Sequence, residues 1–134
     1  MSDGDKRHTR QKTVIREAIT GAERPLSPEE ILEAAQQHHP GLGIATVYRN
    51  IQALTGEGWL RAIAAPGDST RYERADKGHH HHFRCNECGK LYDLEGCAVH
   101  ERPKLPRGFR VSGHEFFIFG TCAVCARSLT REGQ

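Results

Sequence analysis

Two Cys-x-x-Cys pairs, Cys85/Cys88 and Cys122/Cys125, constrain this chain more than any other feature. Two residues between cysteines is the separation at which a tight turn aims both sulfurs at one ion, and two such pairs complete a tetrahedral thiolate cage of the kind that holds zinc. A closed cage leaves no coordination position open, so it is a structural staple and not a reaction centre. Any fold of this chain must therefore bring two distant segments together. At 134 residues the chain makes one domain or two very small ones, the size range in which a metal, a disulfide or a partner subunit supplements the core. Four of the five cysteines sit in the pairs, which fits metal binding in a reducing compartment better than a secreted disulfide framework. The fifth, Cys97, reads as a small buried thiol.

All the cysteines follow Ala75-Asp76-Lys77-Gly78, a short polar stretch that divides the chain. Residues 1–74 read as a winged helix-turn-helix, 75–78 as a hinge and 79–134 as a metal-binding domain, giving an α+β protein. Thr9 is placed to cap a first helix whose apolar face is Val14, Ile15, Ala18 and Ile19, with Gly21 at its end. Ser27-Pro28-Glu29-Glu30 is a second start signal, with serine at the N-cap, proline at the first helical position and Glu30 placed to close a capping box. Beyond Pro40-Gly41-Leu42-Gly43, the residues Ile44, Val47, Ile51 and Leu54 repeat at helical spacing until Gly56 and Gly58. Trp59 to Ile63 then predicts a strand, Pro66 to Ser69 a turn, and Thr70 to Glu73 the returning strand.

The third helix offers Thr46, Tyr48, Arg49 and Asn50 near its amino-terminal end. In helix-turn-helix proteins that end enters the DNA major groove, where arginine and asparagine reach base edges. Arg7, Arg10, Lys12 and Arg16 precede or open the first helix, as an arm able to neutralise phosphates or reach a minor groove. Residues 1–65 hold equal numbers of basic and acidic side chains, so any DNA affinity must come from local placement and from two copies of the domain acting together.

The histidines His79, His80, His81 and His82 form a strand-like run ahead of the first knuckle. Side chains two apart share a face of a strand. His80 and His82 can therefore meet one ion while His79 and His81 point to another. Asp93 lies on a short predicted strand, Leu91 to Leu94, just after the knuckle. Pro103 and Pro106 limit any helix between Gly96 and Pro106. Phe109, Val111, Phe116, Phe117, Ile118 and Phe119 are more apolar surface than one small domain buries alone, and read as core plus a subunit interface.

Taken in order, Ile44-Ala45-Thr46-Val47-Tyr48-Arg49-Asn50, Arg71-Tyr72-Glu73 and the histidine run entering Cys85-x-x-Cys88-Gly89-Lys90 resemble the ferric uptake regulator (Fur) family over nearly the whole chain. The resemblance implies a homodimeric, metal-responsive transcription factor, usually a repressor, with an α/β dimerisation domain after the winged helix. It implies a structural zinc on Cys85, Cys88, Cys122 and Cys125. It implies a regulatory site of Glu73, His80, His82 and Asp93 at the hinge, and an additional site of His79, His81 and His114 with His100 or Glu101. Many relatives place a histidine before the second helix, where this chain has Arg24-Pro25-Leu26. Zinc sensors of the family commonly carry a hinge cysteine, and none lies between Glu73 and His82. Two imidazoles with two carboxylates suit Fe2+ or Zn2+, with Mn2+ possible if water completes the shell. The partners implied are a palindromic DNA operator and a second copy of the chain.

Other function classes fit less well. No conspicuous general base accompanies the His/Asp/Glu set, so a hydrolytic metalloenzyme acting on a small substrate is not expected. A zinc-ribbon scaffold would leave the winged helix unexplained, whereas a peroxide-sensing repressor of the same fold would share every feature. Met1 to Lys6 is polar, and no stretch approaches the roughly 20 apolar residues that span a bilayer. The expectation is a soluble cytoplasmic protein.

Overall fold

The computed structural model describes residues 3–65, 67–78, 80–96 and 104–132, with backbone alone at 3–5 and 131–132. It separates into two compact units, Met1–Lys77 and Gly78–Gln134.

The first unit contains α1 (Asp3–Ala22), α2 (Pro28–Gln36), α3 (Ile44–Gly56), β1 (Leu60–Ile63) and β2 (Arg71–Arg74). Val14, Ile15 and Ile19 from α1, Ile31 and Ala35 from α2, and Val47, Ile51 and Leu54 from α3 bury themselves against Leu26, Leu42 and Leu60. Within each helix these positions are spaced to share one face, so each contributes an apolar stripe and turns its charges outward. β1 and β2 pair antiparallel as the wing hairpin, with Arg61 opposite Glu73. Leu26 extends that sheet by bridging Tyr72 through two backbone hydrogen bonds of 2.9 and 2.8 Å.

Local chemistry explains the helix ends. At α2, the Ser27 hydroxyl accepts from the Glu30 amide at 3.1 Å while Glu30 Oε1 accepts from the Ser27 amide at 3.0 Å. The reciprocal bonds satisfy two amides that the first helical turn would otherwise orphan. α3 ends in a Schellman arrangement: Trp59 N donates to Leu54 O at 2.9 Å and Gly58 N to Thr55 O at 3.1 Å. Gly58 takes φ of 80° there, a conformation that a Cβ would penalise.

Burial raises the pKa of Glu30, but the Ser27 amide and the Arg24 guanidinium, 2.8 Å away, outweigh it and hold the carboxyl below its ordinary value. A depressed carboxylate stabilises the fold above its unfolded pKa and loses that contribution as the pH falls through the lower folded value. Glu30→Ala is therefore expected to lower the stability of the first unit by about 1–2 kcal/mol at neutral pH. The penalty should shrink below about pH 4. Urea unfolding followed by the fluorescence of Trp59, the sole tryptophan, measures both.

Two expectations for α1 are corrected. It begins at Asp3 and runs through Thr9, whose carbonyl accepts from the Thr13 hydroxyl at 2.9 Å in ordinary helical fashion. Arg7 and Arg10 thus lie on a helix and not on an extended arm. The helix passes Gly21 and ends at Ala22, and Glu23 takes the left-handed turn at φ of 55°. No proline interrupts the run, and the burial of Ile15 and Ile19 holds the last turns of the helix against the core through Gly21.

The second unit contains β3 (His81–Cys85), β4 (Leu91–Leu94), β5 (Phe117–Gly120) and α4 (Ala123–Glu132). The sheet order is β4-β3-β5, with β3 antiparallel to β4 and parallel to β5. The first knuckle is the turn of the β3–β4 hairpin, closed by Gly89 N donating to Cys85 O at 2.9 Å. β5 leads directly into the second knuckle, where Ala126 N donates to Cys122 O at 2.8 Å as α4 starts. Parallel pairing of β3 and β5 brings both knuckles to one end of the sheet. Cys97, His100, Glu101 and Pro103 lie outside the described residues. Of the aromatic-rich segment only Phe117–Gly120 forms strand, and Phe109, Val111, Ile118 and Phe119 are exposed within this single chain.

Candidate metal centres

Cys85 ends β3, Cys88 lies in the hairpin turn, and Cys122 and Cys125 frame the start of α4. Their four sulfurs lie within 4.8 Å of one another, with Cys88 Sγ and Cys122 Sγ at 3.9 Å. A tetrahedral zinc with bonds of about 2.3 Å holds its sulfurs about 3.8 Å apart, so the donor type and spacing fit zinc. The backbone amides of Cys88 and Cys122 aim at Cys85 Sγ at 3.5 and 3.3 Å. In that order they draw the Cys85 thiol down to about 6, which favours the thiolate that a metal requires. Cys125 is pushed up to about 12, first by its hydrogen bond with Cys122 and then by burial. Thiolates crowded this closely repel one another unless a cation stands among them.

His80, His82 and Asp93 form a second cluster in the same unit, also with ligand atoms within 4.8 Å. His82 and Asp93 are opposed across the β3–β4 ladder. Asp93 Oδ1 lies 3.6 Å from His80 Nε2 and 3.7 Å from His82 Nε2. Those separations exceed a hydrogen bond yet fall inside the roughly 4.2 Å that two metal bonds of about 2.1 Å can span. His80 Nδ1 contacts Gly78 O at 2.6 Å. A carbonyl only accepts, so Nδ1 is the donor and Nε2 is the ring nitrogen turned toward Asp93, the usual outer-shell arrangement of a histidine that ligates through Nε2. The His82 ring stacks on Phe117 with centroids 5.8 Å apart, which restricts its rotation. A donor set of nitrogen and oxygen suits borderline and hard divalent ions.

His81, buried on β3, turns to His114, with the two Nε2 atoms 3.3 Å apart. That matches a tetrahedral edge at bonds of about 2.1 Å, though two imidazoles alone do not make a site. The other residues expected there, His79, His100 and Glu101, lie outside the described residues.

In the first unit, Glu73 on β2 is buried and paired with Arg61 at 2.7 Å and with Lys77 at 3.7 Å. Spacing alone did not reveal Arg61. The available signal was the hairpin register, which sets Arg61 directly across from Glu73. On α3, Tyr48 and Arg49 are exposed, while Thr46 and Asn50 are half-buried. Arg49 donates to the Thr46 hydroxyl at 3.0 Å and the Asn50 amide to the Thr46 carbonyl at 2.9 Å. Arg7 is exposed on α1. Among the described residues no helix is long and apolar enough to cross a membrane.

The sequence model of the ferric uptake regulator family matches residues 4–119. The chain belongs to the ferric uptake regulator family. FurA of Mycobacterium tuberculosis, a transcriptional regulator, is 34% identical over 134 residues, covering 97% of this chain and 90% of its own. The ferric uptake regulation protein of Campylobacter jejuni is 29% identical over 130 residues, with 93% and 83% covered. The solved ferric uptake regulator of Helicobacter pylori superposes with a TM-score of 0.64 at 24% identity, covering 87% of this chain and 79% of that one. This last likeness shows the fold. The winged helix-turn-helix and the α/β unit carrying the sulfur cage are thus the architecture of a Fur-family chain.

Proposed function

We propose that this Fur-family chain is a metal-dependent DNA-binding transcriptional regulator, acting as a homodimeric repressor in the cytoplasm. The observation that carries the proposal is the coexistence, in one small unit, of a closed four-sulfur cluster and a separate His80/His82/Asp93 cluster of different chemistry. The first suits a permanent structural zinc. The second suits an exchangeable divalent ion, Fe2+, Zn2+ or Mn2+, that reports metal supply. Glu73, on the last strand of the winged helix, supplies the fourth regulatory ligand. His81 and His114 belong to an additional site with His79, His100 or Glu101.

A bound ion contributes charge neutralisation and a cross-link between its ligands. Glu73 and the histidines stand on opposite sides of residues 75–78. Their joint ligation restricts that hinge and fixes the separation at which two wings meet the half-sites of a palindromic operator. The exposed Phe109, Val111, Ile118 and Phe119 supply apolar surface for pairing two copies. Because the regulatory donors are all nitrogen and oxygen, Fe2+ is a fitting occupant, and the same switch could serve peroxide sensing through oxidation of a ligand histidine. Loss of operator release by peroxide in the absence of iron separates that reading from metal sensing alone.

Arg49 is the exposed cation on the face of α3 proposed to enter the groove. Arg49→Ala is expected to weaken operator binding by about 1–3 kcal/mol, with unchanged metal binding. Fluorescence anisotropy on a DNA fragment selected by the wild-type protein, read with and without chelator, tests both the DNA activity and its metal dependence.

A further inference from the structure

Glu73 is the one fully buried carboxylate among the described side chains, and the first unit gives it an unusual surrounding. Its Oε1 accepts from Arg61 Nε at 2.9 Å and from the Arg61 terminal nitrogen at 2.7 Å. Lys77 Nζ lies 3.7 Å from Oε2. Arg61 is held in place by its register partner position on β1, while its own side chain is partly exposed. A single buried acid thus faces two cations.

We propose that Arg61, with Lys77 in support, is an affinity-setting residue: it competes with the regulatory metal for the Glu73 carboxylate and so raises the metal concentration at which the switch responds. The inference rests on the assignment of Glu73 as a regulatory ligand.

A buried carboxylate without a counter-ion is costly, so the fold with no metal needs a cation beside Glu73. Arg61 meets that need through two charge-assisted hydrogen bonds to one oxygen. A divalent ion approaching the same carboxylate finds its charge already offset. It must displace the guanidinium from Oε1 or bind beside it against repulsion, and either route subtracts from the affinity that the bare donor set would have. Arg61 is well suited to this role because its side chain is partly exposed and can regain hydration on release, whereas Glu73 cannot. Lys77 lies at a looser 3.7 Å, beyond a hydrogen bond, and contributes through its field alone. The device makes the threshold of the switch adjustable from a residue that never touches the ion.

The test uses the full-length protein with zinc loaded in the sulfur cage and Co2+ titrated against a fluorescent chelator. Arg61→Gln, which keeps a hydrogen-bond donor and removes the charge, is expected to bind Co2+ about tenfold more tightly, a change of about 1.4 kcal/mol. Lys77→Gln should shift it in the same direction by less. Glu73→Gln should bind more weakly, and the double variant Arg61→Gln/Glu73→Gln should match Glu73→Gln, because without the carboxylate there is nothing for Arg61 to offset. If Glu73→Gln weakens binding while Arg61→Gln is unchanged or weaker, Arg61 is not a competitor and this inference fails alone. If the Arg61→Gln gain persists in the double variant, its charge acts independently of Glu73 and the inference likewise fails. If Glu73→Gln binds as the wild type does, the ligand assignment itself is wrong. Trp59 fluorescence unfolding of each variant separates these outcomes from loss of the fold, and should Arg61→Gln not fold, Lys77→Gln carries the same comparison.

Discussion

Replacing Cys88 by serine is expected to unfold the sheet and helix of the second unit while leaving the first unit folded. The second unit has a three-stranded sheet and one helix, and among its described residues only Cys85 and Leu91 are buried apolar side chains. That is too little core to offset the conformational entropy of ordering the segment. Structural zinc contributes about 10–16 kcal/mol at neutral pH, comparable to or larger than the 5–15 kcal/mol by which whole domains are stable. The cage ties the end of β3 to the start of α4, so its loss frees both the β3–β5 pairing and the helix. The first unit keeps its own core of Ile15, Ile31, Val47 and Leu54 and does not depend on the sulfurs. Hydrogen exchange resolved by peptide gives the answer directly: protection should vanish in β3, β4 and β5 and persist in α1 to α3. The same pattern should follow removal of zinc from the wild type by a strong chelator under reducing conditions. Retained protection in the sheet after zinc loss would show that the cage is not the staple.

The double substitution His80→Ala/His82→Ala should have the opposite profile. The fold should survive, because neither imidazole carries the apolar core and the ladder between β3 and β4 is made by backbone groups. One metal equivalent per chain, that of the His80/His82/Asp93 cluster, should be lost while the zinc of the sulfur cage is retained. Changes in the shell around a metal cost 10–100-fold in affinity even when they spare the ligands themselves, so removal of two ligands should weaken regulatory binding by more than about 100-fold. Metal analysis after equilibration with buffered Co2+ reads the stoichiometry, and thermal unfolding reads the fold. Loss of the cage zinc together with the regulatory metal would merge the two clusters into one folding unit and remove the distinction between staple and sensor.

How much of this was legible beforehand depends on how local the governing physics is. The capping box at Ser27 and Glu30 is a contact over three residues, and it stands as the sequence predicts. The faces of α2 and α3 and the wing hairpin follow from periodicity and turn chemistry in the same way, except that Ile44, in the first turn of α3, is exposed and does not join Val47, Ile51 and Leu54 in the core. The four-cysteine cluster was readable because ligand spacing is itself a geometric statement. Less legible were features set by tertiary context. The early start of α1 overrode Thr9, since a serviceable cap does not stop a helix when the residues before it can also take helical dihedrals, although only Lys6 and Arg7 among them are strong helix formers. The parallel partnership of β3 and β5 joins segments separated by a long crossover, and no local pattern encodes it. α4 starts at the second knuckle, where the cysteine spacing signals metal and not helix. Its first turn is what holds Cys122 and Cys125 on one side. Strand parity led to His80 and His82 as partners, and the structure brings them together with Asp93. It gave no hint of Gly78 O orienting His80, or of Arg61 opposite Glu73, because these depend on register and on backbone placement.

On the proposed function, DNA affinity is governed by the His80/His82/Asp93 cluster and not by the sulfur cage. Shifting a two-state protein from mostly free to mostly DNA-competent takes on the order of 5 kcal/mol of differential binding. The most direct measurement is operator affinity as a function of buffered free Fe2+, Zn2+ and Mn2+, made on zinc-loaded wild type and on zinc-loaded His80→Ala/His82→Ala. Wild-type affinity is expected to rise by about 100-fold or more across the metal range, while the variant stays at the metal-free level with its fold and zinc intact. An operator affinity that rises equally in both proteins, or that is independent of metal in the wild type, would contradict it.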